Sequence, residues 1–333
     1  MTPNTNRSGG TLVGIGEALT DMIPDKSGVD FCDISAFSPR TGGAPANVCG
    51  AYSKLGGKSV MLTKLGDDLF GHKIAGDLDK AGVDTSYIRY TKEARTALAF
   101  VSLDPDGGRS FSFYRAPSAD MLYREEEVPE EVFSDAFALH FCSVSLGDFP
   151  MKEAHLKAIE YAKAKNVLVS FDPNLRLMLW DDHSALKKTV REFIPYCDIL
   201  KISDEELEFI TGASAIEDAL PELFASNIKL VLYTCGAKGA EAYTANTSSS
   251  APALKSQAID TTGAGDAFTG AFLRFIGSRG ITAASLPDIS TVTLTEALTF
   301  ACTYSGLSVR KTGAIPSYPT VEEMDALGFG GLL

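Results

Sequence analysis

Short apolar runs alternate with amphipathic stretches along most of the chain. Runs such as 11–17, 136–145 and 228–236 are rich in Val, Leu, Ile and Phe and have the length of buried strands. Stretches between them, such as 71–82 and 151–165, carry apolar residues at helical spacing. The other predicted strands are 58–66, 166–174 and 197–203, and the other predicted helices are 45–56, 264–277 and 293–308. This alternation predicts an α/β fold with a mostly parallel sheet covered on both faces.

Two stretches break the alternation. The segment 96–115 contains two strand-like runs around Asp-Gly-Gly, which predicts a hairpin whose second arm turns Phe113 to one face and Tyr114 to the other. Together with 21–41, residues 96–118 are expected to form a small antiparallel β lid on one unit spanning 11–333. A lid that excludes water suits phosphoryl transfer, and the alternative is a surface excursion without function. Residues 1–10 are expected to be a flexible tail, and 244–253 a polar surface loop.

Composition and charge narrow the function classes. The chain has 333 residues, 45% of them hydrophobic, and a net charge of −13, which disfavours a nucleic-acid partner. The polar N-terminus lacks the features of a signal peptide, and no apolar run has the length of a membrane span. The six cysteines form no C-x-x-C pair, so we expect free, mostly buried thiols and a cytoplasmic location.

The common nucleotide-binding signatures fail in this chain. The "GGKS" at 56–59 would need glycine at position 52 to form a P-loop, and Tyr52 stands there. The "GIGEAL" at 14–19 has Leu19 in place of the third glycine of a dinucleotide fingerprint, which disfavours a dehydrogenase. The protein-kinase motifs H-R-D and D-F-G are also missing from the sequence. A phosphate site must therefore be of another design.

The stretch "IDTTGAGDAFTGAF" (259–272) predicts an anion site beside a carboxylate. Gly263, Ala264 and Gly265 precede a helix, whose unpaired N–H groups carry partial positive charge and are open to an anion. Asp266, in the first turn, is placed to accept a proton from an attacking hydroxyl, and the helix N-terminus would keep it ionised near neutral pH. The alternative is an aspartate that only balances the helix dipole.

Three further segments carry candidate binding groups. In "TGGAPANV" (41–48), Gly42 and Gly43 form a turn before a helix and Asn47 offers an amide, which suits polyol hydroxyls, although it could simply be a capping amide. Asp21 follows the first strand and could also hold hydroxyls. In "YTCGAKGAEAY" (233–243), glycines flank Lys238 in a turn that suits a nucleotide. "KISDEELEFI" (201–210) opens a helix with Asp204, Glu205 and Glu206, where one carboxylate could bind a water of Mg²⁺ or all could be solvated.

Taken together, these segments resemble the ribokinase-type (PfkB) carbohydrate kinases from about residue 11 to 320. The resemblance rests on "GGAPANV", "TKLGDDLFG" and "DTTGAGDAFTGAF", which stand in the family's order. Within the family, "ARTALAFV", "FYRAPSADMLY" and "FDPNLRLMLW" are similar to fructokinases. The resemblance implies a ribokinase-like three-layer α/β/α fold, and transfer of the ATP γ-phosphate to the 6-hydroxyl of D-fructose.

The resemblance also implies roles for matched residues. Asp266 matches the catalytic base, and the N–H groups of Gly263, Ala264 and Gly265 match the anion hole. The implied substrate-binding residues are Asp21, Gly42, Gly43, Asn47, Phe113, Arg115 and Arg176, of which Phe113 and Arg115 would close over the sugar and Arg176 would contact phosphate. The implied ATP-binding residues are Asn174, Lys201, Thr234, Gly236, Lys238, Gly239, Cys302 and Ser305. Glu206 matches the Mg²⁺-water position, and a K⁺ site would comprise Asp260, Thr262, Ser308, Lys311, Gly313 and Ser317.

Some expectations remain open at this point. Ser203 and Cys302 depart from residues that are often asparagine in the family, which concerns the nucleotide contacts. The alternative substrates are 2-keto-3-deoxygluconate, for which Arg115 and Arg95 could supply positive charge, and ribose. A non-catalytic sugar or nucleotide sensor would be expected to have lost its base, yet Asp266 is present. Many relatives pair lid to lid, so we expect a homodimer formed through the apolar face of 96–115.

Overall fold

A nine-stranded sheet forms the centre of the molecule. The computed structural model describes residues 9–26, 28–103 and 109–333. The strands are β1 (Thr11–Ile15), β2 (Leu19–Pro24), β3 (Phe37–Gly42), β4 (Lys58–Leu62), β5 (Lys64–Gly66), β6 (Val83–Asp84), β7 (Arg89–Thr91), β8 (Leu98–Leu103), β9 (Arg109–Tyr114), β10 (Ala136–Cys142), β11 (Leu168–Asp172), β12 (Ile199–Ser203), β13 (Leu230–Thr234), β14 (Ala240–Tyr243) and β15 (Ser248–Ala251). The large sheet has the order β15-β14-β13-β12-β11-β10-β1-β4-β6. Its pairings are parallel except those of β14 with β13 and β15.

Helices cover both faces of this sheet. They are α1 (Ala44–Lys54), α2 (Leu69–Lys80), α3 (Met151–Ala164), α4 (His183–Phe193), α5 (Asp204–Thr211), α6 (Ile216–Ala225), α7 (Ala264–Ser278), α8 (Thr291–Ser308) and α9 (Val321–Met324). Successive strand residues point to opposite faces, so Leu12 joins the core beneath α1, α7 and α8 while Val13 joins the core beneath α3 and α4. The predicted α/β fold with a mostly parallel, two-sided sheet is confirmed.

Four of the remaining strands build a small separate sheet in the order β3-β2-β8-β9. The pairs β2–β3 and β8–β9 are antiparallel as expected, whereas the central pair β2–β8 is parallel. Register aligns Asp21, Ala99 and Phe113 across three strands, so they share one face of this sheet. Tyr114 and Phe100 lie on the other face. The Asp-Gly-Gly turn at 106–108 lies outside the described residues.

Several boundaries differ from the sequence-based expectation. The run 58–66 is divided, because β4 pairs with β1 in the large sheet whereas β5 pairs with β7 elsewhere. The expected polar loop at 244–253 contains the edge strand β15. Residues 1–8 of the expected tail lie outside the described residues. The Tyr52 hydroxyl lies 3.1 Å from the carbonyl oxygens of both Gly9 and Gly10, which share its one proton.

The cysteines agree with the expectation of free, mostly buried thiols. All six cysteines are free thiols, and four of them are buried while Cys32 is exposed. Over the ranges that the structure describes, none of the helices combines the length and the apolar character required to cross a bilayer.

Candidate active site

The candidate site lies where the connections of the large sheet change direction. From β1 the chain builds β4 and β6 on one side, and later β10 to β13 on the other, so β1 and β10 flank a switch point. Loops at the carboxyl ends of strands diverge at such a point and leave a crevice. Glu17 follows β1, Ser145 follows β10 and Asn174 follows β11. The start of α7 meets the same edge, since a Cβ on Gly265 would lie 3.7 Å from Lys201 Nζ on β12.

The two most informative sequence motifs meet through a single hydrogen bond. Asn47 Nδ2 on α1 donates to Asp266 Oδ2 on α7 at 2.8 Å, across 219 positions of sequence. Both side chains are buried. The other amide atom, Asn47 Oδ1, is buried and has no hydrogen-bond partner among the described residues. It is therefore an acceptor that a ligand hydroxyl could satisfy.

Asp266 has the protonation behaviour of a strengthened base. Burial raises the pKa of the Asp266 carboxyl above its usual value, while the Asn47 hydrogen bond and the charges of Arg176 and Lys201 oppose the rise. The expectation from the helix N-terminus alone had the opposite direction. The difference arises because the side chain is almost fully removed from water. A carboxylate with a raised pKa accepts a proton more readily.

Gly263, three residues before Asp266, has a backbone conformation that suits glycine. It has a left-handed conformation with φ 73°, and its carbonyl accepts from Ala267 N at 2.8 Å and from the Tyr318 hydroxyl at 2.9 Å. A Cβ at this position would lie 2.5 Å from the Tyr318 hydroxyl, so only glycine fits. Ala264 N–H, one of the three expected anion-hole donors, instead donates to the Thr261 carbonyl at 3.2 Å. Ala264 would have to release that bond to bind an anion.

A buried charged triad lies beside the start of α7. Lys201 Nζ donates to Asp172 Oδ1 at 3.2 Å and lies 3.9 Å from Glu206 Oε2. Burial raises the pKa of Asp172 to about 7, although the Lys201 charge opposes the rise. For Lys201, burial lowers the pKa, but the carboxylates of Asp172 and Glu206 outweigh it, so the net pKa is raised and the side chain stays cationic. Lys201 therefore brings positive charge to the edge where a phosphate is expected.

Glu206 is held by hydrogen bonds from the end of β12 and from the segment that follows β11. Its Oε2 accepts from the backbone N–H and the hydroxyl of Ser203, each at 2.9 Å, and its Oε1 accepts from Leu175 N–H at 2.7 Å. Burial raises the pKa of Glu206, but Lys201 and these bonds outweigh it, so the pKa is lowered and the group is ionised. The serine at 203 thus positions Glu206 directly. Oε1 retains one lone pair, which could accept a hydrogen bond from water.

The chain makes a tight turn directly after Asp172. Asn174 has φ 44°, and its N–H donates to Asp172 Oδ1 at 3.1 Å. Arg176 donates to the Leu175 carbonyl at 3.0 Å, and its charge opposes the rise that burial causes in the pKa of Asp266. Both residues therefore lie with the predicted site.

The small sheet approaches the site with its Asp21 face. A Cβ on Gly42 would lie 2.2 Å from Asp21 Oδ2, so the carboxylate rests directly against this glycine. Gly43 has φ 103°, and a Cβ there would lie 2.4 Å from the Glu17 carbonyl oxygen. Phe113 is half-buried and packs against Leu19, Ala97 and Ala99. Asp21, Gly42 and Phe113 thus lie together on the small sheet, and Gly43 leads from it into α1.

Glu17 is a buried site residue that sequence reasoning missed. Its Oε1 accepts from Ala44 N–H at 3.1 Å and its Oε2 accepts from the Ser145 hydroxyl at 2.8 Å. Burial raises the pKa of Glu17, and the Arg115 charge opposes this. The carboxylate joins the start of α1 to the end of β10. The available signal was an acidic residue directly after an apolar strand.

The structure places Arg115 beside Asp120, whereas the resemblance implied that it closes over the sugar. This buried guanidinium donates twice to Asp120 Oδ2, once to the Val144 carbonyl at 3.0 Å and once to the Ser145 hydroxyl at 3.1 Å. It therefore pairs with Asp120 at the base of the small sheet and does not extend over the cleft. A charge already neutralised in this way is not available to an acidic sugar.

The predicted nucleotide turn has the backbone that its glycines suggested. Gly236 and Gly239 have φ 51° and 112°, and a Cβ on Gly239 would lie 2.1 Å from the Ala251 carbonyl oxygen. Thr234 ends β13 and Lys238 is exposed in the turn. Cys302 lies against the same Ala251 carbonyl, with its sulfur 3.8 Å away. Gly239 and Cys302 therefore both lie beside the Ala251 carbonyl of β15.

Ser305 lies beside the start of α7. Its hydroxyl donates to the Ala264 carbonyl at 2.8 Å, so it contacts the first residue of that helix. Its expected place near the adenine stays a prediction.

The predicted cation ligands lie in two loops that Asp260 connects. Its Oδ1 accepts from Thr262 N–H at 2.9 Å and its Oδ2 from Gly313 N–H at 2.8 Å. In the second loop, the Ser308 carbonyl accepts from Lys311 N–H at 3.4 Å, and the Ser317 hydroxyl donates to the Ala314 carbonyl at 2.8 Å. The Lys311 ammonium pairs with Glu323, so this residue offers only its backbone oxygen.

The chain is similar to known proteins over almost its whole length. Residues 11–321 match the family model described as pfkB family carbohydrate kinase. The chain is 43% identical to fructokinase-2 of Solanum lycopersicum over 333 residues, covering 99% of this chain and 100% of that protein. It is also similar to the crystal structure of a fructokinase from Xylella fastidiosa with bound ATP, with a TM-score of 0.86, 36% identity and coverage of 95% and 97%.

A second solved structure carries more ligands. It is a fructokinase double mutant from Vibrio cholerae O395 in a form with bound fructose, ADP and potassium ion, with a TM-score of 0.85, 32% identity and coverage of 96% and 98%. The family match extends over almost the whole chain and includes both glycine-rich motifs that meet in the candidate site. The chain belongs to the pfkB family of carbohydrate kinases.

Proposed function

We propose that the protein is a fructokinase that transfers the γ-phosphoryl group of ATP to the 6-hydroxyl of D-fructose. The observation that carries the proposal is the buried Asn47–Asp266 pair, which joins a hydroxyl-recognition motif to a candidate base. Similarity to proteins named fructokinase over the full chain supports the choice of sugar. The ATP-bound fructokinase structure supports the choice of phosphoryl donor.

In the proposed reaction Asp266 removes the proton of the 6-hydroxyl as that oxygen attacks the γ-phosphorus. The new bond joins the sugar oxygen to phosphorus, the bond between phosphorus and the β,γ-bridging oxygen breaks, and ADP leaves with its electron pair. N–H groups at the start of α7 and the nearby Lys201 charge stabilise the developing negative charge. Asp21 and Asn47 Oδ1, for which the described residues supply no donor, accept hydrogen bonds from other sugar hydroxyls and orient the ring.

Two cations belong to the proposal. Glu206 is ionised and its Oε1 retains a lone pair, so it fits a role in holding a water of Mg²⁺, which would neutralise the ATP phosphates. The Asp260 loops fit K⁺ through backbone oxygens, and the potassium ion in the Vibrio cholerae fructokinase structure supports this. Neither ion enters the proton transfer, which Asp266 performs.

The small sheet is proposed to act as a lid and as a dimer contact. Its Asp21 face lines the cleft, and its other face carries the aromatic cluster Phe31, Phe37, Phe100 and Tyr114, with ring centroids 5.1–6.5 Å apart. Phe31 is 50% and Tyr114 65% exposed. Burying these rings against a second copy would stabilise a sheet of only four short strands.

The six free cysteines support a reducing compartment such as the cytoplasm.

A sugar panel with ADP release as the readout tests the function. Purified protein is supplied with ATP, Mg²⁺ and K⁺ and with fructose, ribose, glucose or 2-keto-3-deoxygluconate. We expect fructose to give the highest kcat/KM. We expect Asp266→Asn to lower kcat by about 10²–10⁴-fold while fructose still binds, because only the proton acceptor is lost.

Asp218→Asn is the matched control. Asp218 also lies in the first turn of a helix, but it is exposed on α6, away from the cleft. This variant should keep wild-type kcat. Preference for another sugar would overturn the substrate assignment, and full activity of Asp266→Asn would overturn the assignment of the base.

A further inference from the structure

Tyr318 is a buried tyrosine that is joined to the start of α7. It follows the short 3-10 helix Ile315–Ser317 and is only 1% exposed. Its hydroxyl donates to the Gly263 carbonyl at 2.9 Å, and its own carbonyl accepts from Lys54 Nζ at 2.9 Å. Tyr318 is therefore hydrogen-bonded at two places: its backbone carbonyl to Lys54 of α1, and its hydroxyl to Gly263 at the start of α7.

The hydrogen bond acts on the peptide that leads into the catalytic turn. The Gly263 carbonyl belongs to the peptide unit whose N–H is that of Ala264, so fixing the oxygen fixes the direction of that N–H. Gly263 has φ 73° and could adopt many other conformations, because glycine has no Cβ to restrict it. Contact of the Tyr318 hydroxyl and Ala314 with this glycine leaves no space for a Cβ. Loop 313–318, together with the Ala267 N–H that donates to the same carbonyl, therefore restricts a backbone that is intrinsically permissive.

The same loop also meets the proposed cation site. Gly313 N–H donates to Asp260 Oδ2 at 2.8 Å, five residues before Tyr318. The loop is thus fastened to the segment 260–263 at two points, one at each of its ends. The Tyr318 hydroxyl acts as the donor in its bond to the Gly263 carbonyl.

We propose that Tyr318 is a positioning residue for phosphoryl transfer, whose buried hydroxyl orients the Gly263–Ala264 peptide and with it the first turn of α7. The inference rests on the proposed kinase function and names a residue that acts through Gly263 without touching substrate. A positioning hydroxyl and one that only adds to stability differ in their effect on kcat and KM. A positioning role affects the step in which charge develops and leaves sugar binding almost unchanged.

Tyr304 provides a matched control within the same aromatic pair. Its ring centroid lies 6.1 Å from that of Tyr318, and its hydroxyl donates to the Ala51 carbonyl at 3.3 Å inside α1. It is also fully buried. Tyr304→Phe and Tyr318→Phe each remove one buried hydroxyl from the same core, so they should cost similar stability. Only the second removes a bond to the α7 start.

The experiment compares kcat, KM for the sugar and Tm of both variants with wild type, using the sugar that wild type turns over best. We expect Tyr318→Phe to lower kcat about tenfold, less than the roughly 10²–10³-fold loss seen when a direct oxyanion donor is removed. Its KM for the sugar should stay within about twofold of wild type. Tyr304→Phe should keep kcat within about twofold, with a Tm close to that of Tyr318→Phe.

Three outcomes would overturn the positioning role: an unchanged kcat for Tyr318→Phe, an equal loss in Tyr304→Phe, or a change confined to KM. These are separate from failure of the proposed function. If wild type turned over a sugar other than fructose, the substrate assignment would fail and the Tyr318 comparison would be made with that sugar. If wild type turned over no sugar in the panel, the positioning role would fail together with the function.

Discussion

Asn47 uses the two ends of one amide for different tasks. Its Nδ2 donates to the carboxylate of Asp266, and its Oδ1, at the proposed sugar position, has no partner within the part of the chain that the structure describes. A bound hydroxyl would therefore be connected through a single side chain to the group that takes its proton. This arrangement also makes the protonation of Asp266 depend on Asn47, because the donated hydrogen bond favours the ionised carboxylate.

Replacing Asn47 should therefore move the pH dependence of catalysis. Burial already raises the pKa of Asp266, and the Asn47 bond lowers it, so Asn47→Ala removes a lowering contribution and the pKa rises further. Asp266 must be deprotonated to act as a base, so the acidic limb of the kcat/KM profile should shift to higher pH. The profile is measured by ADP release in buffers of constant ionic strength.

Asn246→Ala is the control for this substitution, since Asn246 is exposed on the nucleotide side of the sheet and makes no contact with Asp266. Its acidic limb should coincide with that of wild type. A limb that stayed in place or moved to lower pH in Asn47→Ala would contradict the role of this hydrogen bond.

At the scale of elements, Arg115 connects the small sheet to the large one. It follows β9, and its guanidinium reaches Asp120 and the loop after β10. Arg115→Ala should lower the free energy of unfolding by about 3–5 kcal/mol, because it leaves the Asp120 carboxylate buried without its cation. The urea midpoint measures this loss.

The control is Lys157→Ala, which removes one partner of the exposed Lys157–Glu160 pair and should leave the midpoint unchanged. If Arg115 were instead a sugar ligand, Arg115→Ala would raise the KM for fructose and keep the urea midpoint of wild type. That result would restore the role suggested by its sequence position.

The elements that the sequence predicted well are those with strong local patterns. The buried strands β1, β10 and β11 and the helices α7 and α8 follow from continuous apolar runs and small-residue spacing. The edge strand β15 was missed because its sequence, SSSA, is polar, and because backbone pairing with β14 determines its structure. A polar run of small residues lacks the alternating apolar pattern by which a half-buried strand is recognised in sequence.

The site was predicted unevenly for a related reason. Motifs that must approach a ligand closely, such as Gly43 and Gly263, reveal themselves because only glycine tolerates their conformation. Roles that depend on long-range partners do not: Glu17 meets Ser145 across 128 positions, and Arg115 is occupied by Asp120, Val144 and Ser145. The charge of an arginine is visible in sequence, whereas the group that neutralises it is determined by the fold.

At the scale of the whole molecule, the exposed aromatic cluster on the small sheet indicates how two copies of the chain would associate. We expect wild type to be a dimer by size-exclusion chromatography with light scattering. Tyr114→Glu should be a monomer, because it places a charge within the apolar contact. Tyr114 is mostly exposed, so this substitution should not affect folding of the chain itself.

Val292→Glu serves as the control, since Val292 is 68% exposed at the start of α8, on a different part of the surface. It should remain dimeric. A monomeric wild type, or a Tyr114→Glu variant with the mass of a dimer, would show that this cluster is not the contact.

The burial of α7 has a consequence for how the protein could diverge. Twelve consecutive residues, from Asp266 to Gly277, are buried, so this helix has no free face on which substitutions could accumulate. Its start meets the sugar side through Asn47 and the nucleotide side through Lys201. Variation in sugar choice is therefore expected to arise in the small sheet, and variation in nucleotide choice around β13 to β15. Each preference could then evolve separately while the helix between them stays unchanged.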